Sequence, residues 1–98
     1  MAVKVLIERT VRKGYDPYVW NMLRALRSEA LHQKGYLYGE TWRSIQNPRV
    51  LVNVSTWGTR EHWDVWSATP FKQKMEERLV PMLTKPSRVQ VFEEYSGP

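Results

Sequence analysis

Asn53 and Trp57 lie four residues apart in the segment RVLVNVSTW, whose alternating pattern reads as a strand. Alternate strand residues face one way, so Leu51, Asn53, Ser55 and Trp57 share a side. The Asn53 amide and the Trp57 indole each offer an N–H donor. A donor held where negative charge develops is worth about 2.7–4 kcal/mol, or about 10²–10³ in rate. Trp57, Trp63 and Trp66 offer flat walls for a planar ligand. His62 is the only histidine in this region, which makes it the candidate base. Tyr36, Tyr38 and Trp42 alternate on the preceding strand, where they either line a cavity or pack an interface. Each residue also has a purely structural reading. Asn53 can be a strand amide at an interface, Trp63 and Trp66 can be core residues at i, i+3 spacing, and His62 can be a surface helix residue.

Composition removes other chemistries. The 98 residues contain no cysteine, so disulfides, a thiolate nucleophile and a cysteine zinc site are excluded. His32 and His62 are the only histidines and form no H-x-x-x-H pair, so no metal site is expected. No run of about 18 apolar residues exists, which argues against a membrane span. The start MAVKVLIERT does not read as a signal peptide, so a cytoplasmic setting is expected. The net charge is +5, of which +4 falls within residues 1–34. Such an excess forms a solvated face or attracts an anionic partner.

These residues need elements to position them. Residues 3–11 alternate, with Val3, Val5, Ile7 and Val11 on one side. Asp16 and Pro17 read as a cap and first residue of a helix over 17–33, with a stripe of Val19, Met22, Leu23, Leu26 and Ala30. Gly35 suits its C-terminal end. Strands follow at 36–45 and 49–57, joined by a turn at Gln46–Asn47–Pro48. Tyr36, Tyr38, Glu40 and Trp42 are expected on one face of the first of these. Thr59 caps a helix at 60–67, and Thr69–Pro70 starts another with a stripe of Phe71, Met75, Leu79 and Met82 or Leu83 that Pro81 stops or kinks. Residues 87–95 form a last strand, and the tail Ser96–Gly97–Pro98 is expected to fray.

The order β-α-β-β-α-α-β over a single 1–98 domain predicts an α+β, ferredoxin-like fold. It comprises a four-stranded antiparallel sheet with helices on one face. The valine-rich sides of strands one and three are expected to form one apolar surface, while the opposite side still carries Leu6, Leu51, Trp57 and Phe92. Neither face is consistently polar, so a homodimer with sheet-to-sheet contact is expected.

The element order, the V-N-V-S-T-W strand end, the W-x-x-W helix at Trp63–Trp66 and the segment A-T-P-F-K-Q-K-M resemble the antibiotic biosynthesis monooxygenase-like domains. That resemblance spans about residues 3–95 and implies a dimeric α+β barrel. Within it, the quinone-forming branch needs no cofactor and uses an N-x-x-x-W pair, which Asn53 and Trp57 match. That branch has a tyrosine six residues after the tryptophan, where this chain has Trp63. The implied activity is oxidation of a small aromatic or polyketide-like molecule by dioxygen, the substrate supplying the electrons. Asn53, Trp57 and His62 are then catalytic, and Trp63, Trp66, Tyr36, Tyr38 and Trp42 bind substrate. The haem-degrading branch fits less well. Trp66 matches its helix tryptophan, but strand one has no asparagine and Met75 stands where its histidine would fall. A non-catalytic binding dimer of the same fold is the alternative. RNA binding is disfavoured, because strand three lacks the aromatic pattern of an RNA recognition motif and strand one has no aromatic residue.

Overall fold

Strand β1 (Val3–Thr10) buries Val3, Val5 and Ile7 by simple alternation, and Val11 continues the series. The computed structural model describes residues 1–97; Pro98, part of the tail expected to fray, lies outside the described residues. Helix α1 (Asp16–Ala30) follows, then strands β2 (Tyr36–Arg43) and β3 (Val50–Trp57). Helices α2 (Arg60–Ser67) and α3 (Pro70–Leu79) precede strand β4 (Arg88–Glu93). The sheet order is β2-β3-β1-β4, with every neighbouring pair antiparallel. This is the expected ferredoxin-like α+β arrangement.

The local signals act largely as read. Thr59 accepts the His62 backbone N–H, and Thr69 accepts that of Lys72, so both threonines cap their helices. Pro81 ends α3, and the chain tightens into a 3-10 turn at Val80–Met82. Asp16 departs from its expected role. It is the first helical residue rather than the cap, and its carboxylate instead takes both guanidinium nitrogens of Arg49 at 2.9 and 2.5 Å. Those hydrogen bonds hold its pKa below the ordinary value. Helix α1 also stops three residues early, because i to i+3 bonds from His32 and Gln33 tighten its end. Gly35 then turns the chain at φ +85°, and its carbonyl accepts the Gly58 N–H at 2.7 Å. A side chain there would meet the His62 ring at 2.2 Å, so glycine is required twice over.

Two face assignments differ from expectation. Directly paired residues of antiparallel strands share a face. Val3 pairs with Trp57, Val5 with Ser55 and Ile7 with Asn53. The valines of β1 therefore lie with Trp57 under the helices, while Val50, Val52 and Val54 of β3 lie on the open face with Leu6. The two valine-rich sides are thus on opposite faces. In β2, a bulge between Tyr36 and Tyr38 shifts the register by one residue. Tyr36 faces the helices, whereas Tyr38 and Trp42 turn to the open face and are 57% and 58% exposed.

In α3 the expected stripe holds at Met75 and Leu79 but not at Phe71, whose place in the core Lys72 takes. Lys72, Met75 and Leu79 are buried, and Phe71 is 39% exposed. The core fills the space between this side of the sheet and the three helices. Trp57, Leu79, Val5 and Val19 are its largest fully buried side chains.

Candidate functional site

A cavity of about 50 Å³ lies between the helix-facing side of the sheet and helices α1, α2 and α3. Strand β3 brings Asn53, Ser55 and Trp57 to it, and β1 brings Ile7 and Arg9. Helix α2 adds Trp63 and Trp66, α3 adds Lys72, and α1 adds Leu23, Leu26, Ala30 and, at an exposed position, Arg27. Tyr36 and Gly39 of β2 complete the lining.

The aromatic residues form one cluster centred on Trp57. Its ring meets Tyr36 edge-on with centroids 5.2 Å apart and Trp63 at 5.9 Å, and it stacks with Trp66 at 6.3 Å. Tyr36 lies so close over Gly39 that a side chain there would stand 2.3 Å from the phenol oxygen. Burial pushes the Tyr36 pKa up, against the opposing pull of Arg27, so the phenol is a neutral donor.

Five of the eight residues singled out from the sequence, Asn53, Trp57, Trp63, Trp66 and Tyr36, meet at this cavity. Their donors are already engaged. The Asn53 amide donates to the Glu40 carbonyl and the Thr41 hydroxyl, both at 3.2 Å across the β2–β3 ladder. The Trp57 indole N–H donates to Ser55 Oγ at 3.0 Å. Ser55 Oγ accepts that bond beside the cavity and keeps its own proton as a donor. His62 is not among the lining residues. It packs on Gly35 and Gly58, and its Nδ1 lies 3.0 Å from the Thr59 hydroxyl, which makes it part of the α2 cap. Tyr38 and Trp42 are on the far side of the sheet.

The sequence reading passed over a charged cluster. Arg9 is 3% exposed and donates through Nη2 to Glu76 Oε2 at 2.6 Å. Lys72, also buried, pairs with the same carboxylate oxygen. Its ammonium lies 5.7 Å from the Trp63 ring centroid, within cation–π range. Burial favours a neutral Glu76, but the charges of Arg9 and Lys72 and their hydrogen bonds outweigh it, so the carboxyl is held below its usual range. Burial pushes Lys72 below the ordinary lysine value, with Glu76 opposing and Arg9 adding to the shift. The signal was legible. Arg9 falls on the buried phase of the series Val3, Val5, Ile7, Val11, and Lys72 falls at helical spacing from Met75 and Leu79. Among the described residues, no group of three or more His, Cys, Asp or Glu side chains is placed to hold a metal ion. Nor is any helix there long and apolar enough to cross a membrane.

Solved structures share this fold over nearly their whole length. A conserved protein from Methanosarcina mazei Go1 superposes with a TM-score of 0.91 at 17% identity, covering 97% of this chain and 94% of its own. Rv0793 from Mycobacterium tuberculosis gives 0.88 at 18% identity, covering 99% and 98%. SnoaB from Streptomyces nogalater, a cofactor-independent oxygenase, gives 0.84 at 17% identity, covering 98% and 95%. No curated protein matches the chain. The family model for antibiotic biosynthesis monooxygenase matches residues 2–78, a span that holds every residue lining the cavity and both partners of the Arg9–Glu76 pair. The chain belongs to the antibiotic biosynthesis monooxygenase family.

Proposed function

We propose that this protein oxidises a small, flat phenolic or enolic aromatic compound with dioxygen, the substrate itself supplying the electrons. One observation carries the reading: the wall of Trp57, Trp63, Trp66 and Tyr36 meets a polar floor of Asn53 and Ser55 and the cations Arg9 and Lys72. Flat apolar walls hold a planar ring, and fixed positive charge stabilises its anion. Family membership and the shared fold with a cofactor-independent oxygenase support the same chemistry.

The substrate loses a proton, and the anion passes one electron to dioxygen. The two radicals join as a carbon-bound peroxide anion, which takes back the proton lost at the start to give the hydroperoxide, and loss of water leaves a carbonyl, so R2CH2 + O2 gives R2CO + H2O. Trp57 and Ser55 act as a linked pair, the indole N–H fixing the hydroxyl that donates to the anion, while Asn53 is held across the β2–β3 ladder and forms the floor beside them. Tyr36 supplies the phenol that Trp63 does not. His62 drops out of the catalytic set because its ring belongs to the α2 cap. The cavity's volume lies well below the roughly 300–1,000 Å³ of ligand pockets, so admitting a ring requires lining side chains to shift, and Arg27 is the exposed one among them.

Oxygen uptake by the purified protein with a panel of phenols and anthrols tests the proposal. Uptake should depend on protein and fall about 10²–10³-fold in Ser55→Ala, which removes the hydroxyl donor at the cavity floor. No turnover across the panel, with ligands merely quenching tryptophan fluorescence, would favour the non-catalytic binding reading.

The open sheet face presents Leu6, Val52, Val54, Tyr38, Trp42 and Phe92 in one patch, all half-buried or exposed in the single chain. Contiguous apolar patches of this kind mark contact surfaces. We assign the patch to a second copy that closes the sheets into a dimeric barrel. Light scattering should then return twice the mass of one chain, and a monomer at micromolar concentration would contradict it.

A further inference from the structure

We propose that the cavity selects planar aromatic ligands bearing a carboxylate, and that Arg9 is the residue that binds it. This rests on the reading above that the cavity receives the substrate.

Three observations converge. The first is charge. Arg9, Arg27 and Lys72 line the cavity, and Glu76 is the one carboxylate that Arg9 and Lys72 share. Buried cations cost several kcal/mol each unless paired, so the surplus invites a second anion. The second is an unmet donor. Arg9 Nε is fully buried and has no hydrogen-bond partner, although Nη2 of the same guanidinium is bound to Glu76. An orphaned buried donor on a charged group is costly, and an acceptor from a ligand relieves that cost. The third is position. Arg9 follows Ile7 on the buried side of β1 and pairs across the sheet with Leu51, so no β1 or β3 neighbour on that side carries a competing acid.

The aromatic walls narrow the anion further. A guanidinium binds phosphate, sulfate or carboxylate, but only an ion fused to a flat ring also fills the space beside Trp57, Trp63 and Trp66. A carboxylate is planar with such a ring and stays charged at neutral pH, whereas a simple phenol does not. In the oxidation proposed above, the carboxylate fixes the ring at one end while the reacting carbon faces the donor set at the other.

The test is calorimetric titration of the wild-type protein with 1-hydroxy-2-naphthoate and with its neutral amide, 1-hydroxy-2-naphthamide. The carboxylate should bind at least about tenfold tighter, as a charge-assisted hydrogen bond requires. Arg9→Met should bring the two within about twofold of each other, and Lys72 remains in that variant to pair Glu76 and sustain the fold. Independently of any variant, the Arg9 Nε–Hε signal of wild-type protein should shift with the carboxylate and stay still with the amide. Equal affinity for the two ligands, a preference that survives Arg9→Met, or an unmoved Nε–Hε signal would overturn the assignment. If neutral phenols support oxygen uptake while the naphthoate does not bind, the anion site falls and the oxidation stands. If the naphthoate binds through Arg9 and no phenol is oxidised, the oxidation falls and the anion site stands.

Discussion

Replacing Trp57 with alanine is expected to lower stability by about 3–5 kcal/mol, the range for emptying a large aromatic site in a packed core. Trp57 is 1% exposed and touches Tyr36, Trp63 and Trp66, so deleting it strips contact from three other aromatic rings at once. Deleting it also leaves Ser55 without its indole donor. Domains of this size are stable by about 5–15 kcal/mol in total, so the variant should lose a large share of its stability. Urea denaturation followed by far-ultraviolet circular dichroism measures the change. Trp57→Phe should cost much less, because it keeps most of the ring contact and removes only the N–H. A loss below about 1 kcal/mol for the alanine variant would mean that the aromatic cluster does not organise the core.

Glu76→Gln is expected to cost about 3 kcal/mol at pH 7. Removing one partner of a buried pair costs about 3–5 kcal/mol, and Glu76 is a quarter exposed, which places it at the low end. The variant leaves the Arg9 and Lys72 charges buried with no carboxylate between them. The effect carries a pH signature. Glu76 titrates lower in the folded chain than in the unfolded one, because Arg9 and Lys72 outweigh its burial. Its stabilisation is therefore complete above the unfolded carboxyl pKa of about 4.3 and is lost as pH falls through the folded value. Denaturation midpoints of wild type and variant should differ most near neutrality and draw together below pH 4. A gap that stays constant with pH would show that Glu76 acts by packing rather than by charge.

Much of the fold was legible because the local signals agreed with one another. Thr59 and Thr69 cap where their spacing places them, Pro81 stops its helix, and the strand alternations locate all four strands within a few residues. Relations between strands were less legible. Which side of β3 joins which side of β1 depends on register, and a shift of one residue exchanges the faces, so the valines of the two strands looked equivalent in sequence. The bulge at β2 has the same character. It separates Tyr36 from Tyr38 and Trp42, and no residue type in YLYGETW announces it. Asp16 had the composition of a cap, but a guanidinium thirty-three residues away competed successfully for its oxygens. For the site, aromatic residues drew attention and charged ones did not. Arg9 and Lys72 sit on buried phases that the sequence displays, but a charged residue on such a phase reads as surface until its partner Glu76 is seen beside it.

The central claim is that the cavity between sheet and helices oxidises an aromatic substrate with dioxygen. The most direct measurement supplies purified protein with an anthrol under labelled dioxygen and follows both oxygens by mass spectrometry. The account predicts one labelled oxygen in the product carbonyl, one in water, and consumption of one dioxygen per substrate. Product oxygen drawn from water, or no protein-dependent consumption of dioxygen, would contradict it.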